Sequence, residues 1–292
     1  MLHQLMKSQP FEMVDYCKIN LENTINSGQV FLWKKDQENW YGINGQNVLK
    51  INEIGEIKSN TRKKIDFFRE KDNLEEILKS ISKDKLVKNA IKNYSGLRIL
   101  RQDPFQCFIS FIVSSNSNIQ KIKRCLENIC ENFGEKVIFD NKEFFLFPTP
   151  KILATASIQE IKKCGTGYRS NFIITASEMV YSNKINFELL KKCEYYKAKE
   201  IISQVPGVGN KVADCILLFS LDKLEAFPLD RWMIRILEQY YPSIFELSTK
   251  TLTHKQYAML HEKIANYFGP YAGYAQQFLF KMERENYEKK WL

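Results

Sequence analysis

The pattern of apolar and polar positions changes character near residue 60. From about Lys18 to Lys58 the segments GQVFLWKK, NWYGING and NVLKINEIGEIK alternate apolar and polar residues and are separated by Asn, Gly and Asp. This pattern predicts the strands of an antiparallel sheet. From Lys63 to Tyr94 apolar residues recur at helical spacing in KKIDFFREKDNLEEILKSIS and KDKLVKNAIKNYSG, so we expect helices beside the sheet.

The chain after about Gly96 carries a helical pattern almost throughout. Asp103 and Pro104 are typical of a helix start, and amphipathic segments follow one another as far as YAGYAQQFLFKMERENYEKK. The pattern therefore predicts an α+β protein. We expect an N-terminal antiparallel β-sheet domain with flanking helices at residues 1–97 and a larger helical region at residues 98–292.

The charge of the chain indicates a polyanionic partner. Lys and Arg number 43 against 34 Asp and Glu, which gives a net charge of +9 and a pI near 9.0. Nucleic acid and an anionic membrane surface both fit this excess. No apolar run approaches the ~20 residues that cross a bilayer. The first 19 residues lack a signal-peptide core, so we expect an intracellular protein without a membrane partner.

The cysteines and histidines do not suggest a metal or cofactor. Seven Cys are scattered without a C-x-x-C pair, and there are only three His. A zinc site or an iron–sulfur cluster usually needs closely spaced ligands, which this sequence lacks. We therefore expect no metal and no cofactor.

The stretch PGVGNKVADCIL is typical of two helices joined by a tight hairpin. Pro206 ends the first helix, and Gly207 and Gly209 permit a sharp turn before the second. Free N–H groups at a helix start can bind a phosphate, although an ordinary helix–helix turn has the same composition.

Lys211, Cys215 and Phe219 fall on one face of the second helix. An amine, a thiol and a ring suit a pocket wall better than a core stripe, but a first-turn lysine can also simply reach solvent. Downstream, Asp230 occupies the N-cap position of an amphipathic helix. A cap is the simpler interpretation, and a fixed carboxylate that stabilises a developing cation is the other.

The segment PGVGNKVADCILLFSLDKLEAFPLDRWM resembles the helix-hairpin-helix, Gly/Pro…Asp signature of base-excision DNA glycosylases. It is most similar to the eukaryotic-type 8-oxoguanine DNA glycosylase/AP lyase family. INSGQVFLW, LRILRQDPFQCFISFIVSSNSNIQKI, CGTGYRSNFI and FGPYAGYAQQFLF resemble that family in the same order. The resemblance spans about residue 20 to residue 280. It implies a helical region in two lobes with the active site between them.

The resemblance implies a catalytic pair. Lys211 would attack C1′ of the damaged nucleotide and form a Schiff base that permits β-elimination. Asp230 would stabilise the positive sugar and help to manage the amine proton. The partner would be double-stranded DNA containing a damaged base flipped out of the helix. We expect a monomer that works where the DNA is, without a cofactor.

The resemblance also implies a purine pocket and a DNA interface. A carbonyl at Gly28 would accept the N7–H of 8-oxoguanine, and the remaining pocket residues would be Cys215, Phe219, Gln276 and Phe280. The DNA-binding residues would be Asn116, Lys121, Tyr168, Arg169, Gly207, Gly209 and Trp232. Without the resemblance, Gly28 is a strand-turn glycine, Phe280 a core residue, Asn116 part of a polar turn and Tyr168 a half-buried tyrosine.

Three positions depart from the family pattern. Ser117 replaces a loop asparagine, Lys121 replaces the arginine that commonly reads cytosine, and Trp232 replaces a histidine. Lysine cannot form the planar two-bond fork of arginine, so we expect weaker selectivity for cytosine opposite the lesion.

Two other functions remain open at this point. The chain could be a glycosylase for another damaged base, although alkylated-base relatives lack the catalytic lysine that Lys211 matches. It could also be a catalytically silent DNA-binding module, which the Lys211 and Asp230 pair disfavours.

Overall fold

The N-terminal part of the protein is built on a four-stranded antiparallel sheet. The computed structural model describes residues 19–62, 65–245 and 252–290. Its strands lie in chain order: β1 Trp33–Asp36, β2 Asn39–Asn44, β3 Asn47–Ile51 and β4 Ile57–Ser59. Each pairs with the next, with Trp33 opposite Gly42 and Trp40 opposite Ile51. The predicted antiparallel sheet is confirmed.

Both faces of the two central strands, β2 and β3, are largely buried. Trp40 and Ile51 point into a small apolar core with Phe67 and Phe68. Ile43 and Val48, at the alternate positions, join the main core of the helical region. A sheet that is covered on both sides is fixed in register, because a shift of one residue would exchange the two sets of side chains.

The rest of the described chain is mainly helical, as predicted. The longer helices that matter for the site are α4 Pro104–Ser114, α5 Ile119–Phe133, α8 Ser170–Tyr181, α10 Tyr195–Ile202, α11 Asn210–Ser220, α12 Arg231–Tyr240, α13 His254–Phe268 and α14 Ala272–Lys290. The others are α1 Leu21–Ile25, α2 Leu74–Ile81, α3 Lys85–Asn93, α6 Pro150–Thr155, α7 Ile158–Ile161 and α9 Phe187–Lys192. None of the helices in the described part of the chain is long and apolar enough to cross a membrane.

The N-terminal boundaries differ from the sequence pattern in two places. The region expected to begin with strands instead begins with α1, whose N-cap Asn20 accepts a hydrogen bond from the Asn23 N–H. The predicted helix through KKIDFFRE is wrong for residues 65–73, which form turns. Phe67 and Phe68 are both fully buried, and Arg69 has a φ of 54°, which a helix cannot contain. Lys63 and Lys64 lie outside the described residues.

A small β-hairpin interrupts the helical region, where only helices were expected. Strands β5 Lys136–Phe139 and β6 Lys142–Phe145 pair antiparallel. Asp140 and Asn141 connect them with φ of 53° and 58°, which suits the turn of a two-residue hairpin. Asp and Asn tolerate this left-handed backbone better than most residues, so the DN pair was the available sequence signal.

Buried glutamines fix the loop that joins α1 to the sheet. The Gln29 amide donates to the carbonyl oxygens of Thr24 (3.1 Å) and Arg98 (2.9 Å), and its oxygen accepts from the Leu100 N–H at 2.7 Å. Gln277, on α14, donates to the Ser27 carbonyl at 2.9 Å. The N-terminal loop is therefore attached both to the strand-like segment before α4 and to the last helix. The boundary after residue 97 stays a prediction.

Replacing Gln29 should destabilise the whole protein. Gln29→Leu keeps the approximate volume but leaves the buried Leu100 N–H and Arg98 carbonyl without their partner. We expect the free energy of unfolding in urea to fall by about 2–4 kcal/mol. Gln239→Leu, on the exposed side of α12, is the control and should change it by no more than about 0.5 kcal/mol. Equal effects of the two variants would contradict the role given to Gln29.

Candidate active site

Lys211 is held at the start of α11 by side chains of α4. Its side chain is half-buried, and its Nζ lies 3.4 Å from the Ser114 Oγ and 5.4 Å from the centroid of the Phe111 ring. Phe111 in turn stacks on Phe219 with 5.4 Å between ring centroids. The Lys211 side chain thus lies over the Phe111 ring. The simpler interpretation of the sequence, a lysine that extends into solvent, does not describe it.

Cys215 lies one turn beyond Lys211 and is buried. Burial raises the pKa of its thiol to about 12, and the nearby Lys211 opposes that rise. A thiol with such a high pKa stays protonated and is a poor nucleophile at neutral pH. Cys215 therefore suits the role of a pocket wall on this face of the helix.

Asp230 is both a helix cap and a neighbour of Lys211. Its carboxylate accepts hydrogen bonds from the backbone N–H of Trp232 (3.0 Å) and Met233 (2.9 Å), which confirms the predicted N-cap of α12. Burial raises the pKa of this carboxyl group, while Lys211 and the two N–H groups lower it. The two interpretations of Asp230 are compatible, since the cap fixes the carboxylate where it interacts with the amine.

Gly28 and Phe280 meet although they lie at opposite ends of the chain. Gly28 has a φ of +88°, and a Cβ there would lie 3.1 Å from the Phe280 ring and 3.0 Å from the Arg284 Nη1. Phe280 is half-buried, and Gln276, one turn before it, is 4% exposed with an Oε1 that has no hydrogen-bond partner within the described structure. A buried acceptor without a partner is costly unless a ligand satisfies it.

The hairpin between α10 and α11 forms as predicted. Gly207 takes a φ of +87° and packs against Phe172, whereas Gly209 is exposed and open on its side-chain face. Gly209 occupies the N-cap of α11 and offers no side-chain oxygen to the first N–H groups. Those groups stay available to an external anion at the helix start.

Two separate segments, the loop between α4 and α5 and the turn before α8, present Asn116 and Tyr168 at the surface. Asn116 is exposed with a φ of +49°, and Tyr168 is 59% exposed. Arg169 is buried beneath them, where its guanidinium donates to the carbonyl oxygens of Ser115 (2.8 Å) and Asn116 (3.1 Å) and stacks on the Tyr168 ring. The structure therefore brings these three predicted residues together, with Arg169 as the support of the other two.

Comparison with known proteins matches both parts of the chain. Residues 13–108 match the family described as 8-oxoguanine DNA glycosylase, N-terminal domain, and residues 109–258 match the HhH-GPD superfamily of base excision DNA repair proteins. The N-glycosylase/DNA lyase OGG1 of Arabidopsis thaliana is 31% identical over 92% of this chain and 78% of its own length. The chain belongs to the 8-oxoguanine DNA glycosylase family.

Solved structures of glycosylases carry the same fold. The Clostridium acetobutylicum 8-oxoguanine glycosylase/lyase, bound to duplex DNA with cytosine opposite 8-oxoG, gives a TM-score of 0.81 at 31% identity over 92% of this chain and 93% of that chain. MBOgg1 in complex with a low-affinity DNA ligand gives a TM-score of 0.82 at 32% identity, with 92% and 93% coverage. The α+β architecture expected from the sequence is confirmed.

The three residues that depart from the family pattern differ from one another in exposure and contacts. Lys121 is exposed in the first turn of α5, and Ser117 is half-buried in the loop before it. Trp232 is half-buried and packs edge-on against Tyr287, with the Arg235 guanidinium 5.3 Å from its ring centroid. Trp232 therefore forms an aromatic and cationic surface beside Asp230.

The sequence did not predict the side chains that support Lys211 and Asp230 from behind. Phe111 and Ser114 look like ordinary members of the apolar helix PFQCFISFIVSS, and nothing in the local pattern marks them as neighbours of Lys211. Asp214 and Tyr257 are buried polar residues inside helices, and buried polar residues usually have a specific partner. An aspartate within the apolar run VADCILLF was the one available signal, since a charge there requires compensation.

The two hairpin glycines should respond differently to a methyl group. Gly207→Ala places a Cβ 2.7 Å from the Phe172 ring on a left-handed backbone. We expect the free energy of unfolding in urea to fall by about 1–2 kcal/mol or more. Gly209→Ala adds the same methyl group in open space with an ordinary φ and should change stability by about 0.5 kcal/mol at most. If Gly209→Ala proved as destabilising as Gly207→Ala, this account of the hairpin would be wrong.

Proposed function

We propose that this protein excises 8-oxoguanine from duplex DNA and then cleaves the strand at the resulting site, with Lys211 as nucleophile. The observation that carries the proposal is the placement of Lys211 and Asp230 at two adjoining helix starts. Lys211 lowers the pKa of the Asp230 carboxyl group, against the larger effect of burial, so the two groups lie close enough to interact. The relatives named N-glycosylase/DNA lyase and 8-oxoguanine glycosylase/lyase support the same activity.

The chemistry begins at C1′ of the flipped nucleotide. The amine nitrogen of Lys211 forms a bond to C1′ while the bond to the base nitrogen breaks. The electron pair of the broken bond leaves with the base, and the proton that the attacking nitrogen loses is transferred to the base. The Asp230 carboxylate stabilises the positive charge that develops on the sugar, because a fixed anion in a desolvated site acts strongly. Opening of the sugar gives a Schiff base, loss of a C2′ proton expels the 3′ phosphate, and water releases the enzyme.

The flipped purine would lie between the two ends of the chain. Phe280 would stack on one face, with Cys215 on the other and Phe219 in the adjoining wall. The buried Gln276 Oε1 would accept from the Watson–Crick edge of the base. The Gly28 carbonyl would accept the N7–H that distinguishes 8-oxoguanine from guanine, and one such bond can contribute a few kcal/mol to discrimination.

The duplex would be held by its backbone and opened by the loop at Asn116. The N–H groups around Gly207 and Gly209 suit a phosphate. Asn116 would enter the space left by the flipped base, and Tyr168 would wedge the neighbouring base with Arg169 beneath it. Lys121 and Trp232 would face the opposite strand and the flanking backbone. We propose that a monomer suffices, because these residues all come from one chain.

Borohydride trapping tests the central step. Incubated with a duplex that carries one 8-oxoguanine opposite cytosine, the wild type should form a covalent adduct when borohydride is present. Lys211→Gln should form none and should lose base release by at least about 1000-fold, since the amine acts directly on C1′. Undamaged duplex is the substrate control, and Lys223→Gln is the lysine control.

Each outcome of that experiment bears on the proposal. An adduct that requires both Lys211 and the lesion supports it. Base release without an adduct would assign the attack to water. Neither release nor adduct, with duplex binding intact, would contradict the substrate and leave a glycosylase for another base or a silent binding module.

Restoring an arginine at position 121 should sharpen opposite-base selectivity. Arginine can donate two parallel hydrogen bonds to cytosine, whereas Lys121 offers a single point charge. We expect Lys121→Arg to raise the ratio of excision opposite cytosine to excision opposite adenine several-fold. Lys123→Arg, on another side of α5, should leave the ratio unchanged. An unchanged ratio in Lys121→Arg would show that position 121 does not read the opposite base.

A further inference from the structure

A fully buried carboxylate lies directly behind the catalytic helix face. Asp214 follows Lys211 by three residues on α11 and has no exposed surface. Its oxygens accept hydrogen bonds from the hydroxyls of Tyr195 (2.6 Å) and Tyr257 (2.5 Å), and the Lys199 Nζ lies 2.9 Å away. Tyr195 and Lys199 belong to α10 and Tyr257 to α13. The charge is thus compensated from two neighbouring helices.

The Tyr257 hydroxyl has a defined orientation. It accepts a hydrogen bond from the Leu229 backbone N–H at 3.0 Å, so its own proton is free to be donated. The Tyr257 hydroxyl donates this proton in a short hydrogen bond to the Asp214 carboxylate. The Phe227 carbonyl oxygen, at 3.5 Å, is a far weaker acceptor. The Leu229 N–H therefore donates to the Tyr257 oxygen, and the Tyr257 hydroxyl in turn donates to Asp214.

This connection joins the two helix starts that carry the catalytic pair. Leu229 is buried and immediately precedes Asp230, while Asp214 is on the same helix as Lys211. Without the Tyr257 oxygen, the Leu229 N–H would lose the hydrogen bond that fixes this segment. Tyr195 bonds to the same carboxylate at similar length but, within the described residues, makes no hydrogen bond to the segment before Asp230.

We propose that Tyr257, fixed by Asp214, is a positioning residue that sets Asp230 relative to Lys211. The inference rests on the proposed function, because it concerns the geometry of that reaction. A catalytic group displaced by about 1 Å can slow a reaction by about 100-fold even when substrate binding is unaffected. Loss of the Tyr257 hydroxyl should therefore appear in the rate of chemistry and not in duplex affinity.

Tyr257→Phe and Tyr195→Phe form a matched pair. Each removes one hydroxyl bonded to Asp214 from a buried tyrosine, and only the first also removes the acceptor of the Leu229 N–H. Single-turnover base release is measured with enzyme in excess on the 8-oxoguanine duplex. Duplex affinity and Tm are measured on the same preparations. We expect a fall of about 10- to 100-fold in the rate for Tyr257→Phe. Affinity should stay within about twofold, and Tyr195→Phe should stay near the wild-type rate.

The outcomes separate positioning from stability and from the proposed function. A lower Tm in both variants with a slow rate only in Tyr257→Phe supports the inference. Equal rates in the two variants, or a loss of affinity that accounts for the slower reaction, would overturn it. A wild type that does not release 8-oxoguanine would contradict the proposed function instead.

A second variant covers the case in which Tyr257→Phe does not fold. In Asp214→Asn an NH2 group replaces one of the two carboxylate oxygens, each of which accepts from a different tyrosine, so the network that orients Tyr257 is weakened. It should slow base release with affinity preserved, and adding Tyr257→Phe should cause little further loss, because the two changes break one connection. A wild-type rate in Asp214→Asn, or fully additive losses in the double variant, would overturn the inference.

Discussion

The helical region is organised around the need to compensate one buried charge. Asp214 has no access to solvent, so its carboxylate requires a cation and hydrogen-bond donors from its surroundings. Lys199 and Tyr195 supply them from α10, and Tyr257 supplies another from α13. Three helices must therefore dock in one arrangement before the charge is satisfied. An apolar core alone would tolerate small sliding motions that this network forbids.

The candidate active site differs from the Asp214 network, because its polar groups are only partly compensated. Burial disfavours the ionised form of Asp230, and Lys211 and two backbone N–H groups only partly offset that effect. An unpartnered Gln276 oxygen adds a further unfavourable feature within the same region. Such features are typical of binding sites, where a ligand provides the missing interactions. The surrounding glutamine and aspartate networks hold this arrangement in place.

The local sequence pattern predicted the presence of helices and strands better than the residues at which they begin and end. The helix starts at Pro104, Asn210 and Arg231 followed from capping and glycine chemistry, which act over a few residues. The turn at Phe67 and Phe68 was missed because its cause is the burial of both rings against distant residues. The Lys211 and Asp230 pair could be recognised from motif resemblance, but the contacts of Lys211 with α4 and of Leu229 with Tyr257 depend on tertiary packing, which spacing does not encode.

The contact between Gly28 and Phe280 also has a consequence for the order of folding. It closes nearly the full length of the chain, and contacts so distant in sequence form late because they require the greatest loss of chain entropy. During synthesis Lys211 and Asp230 emerge well before Phe280 and Gln276. On the proposed assignment, an incompletely synthesised chain therefore carries its nucleophile, Gly28 and Cys215 but lacks the last wall of the purine pocket. The proposed pocket is complete only once the last helix has been made.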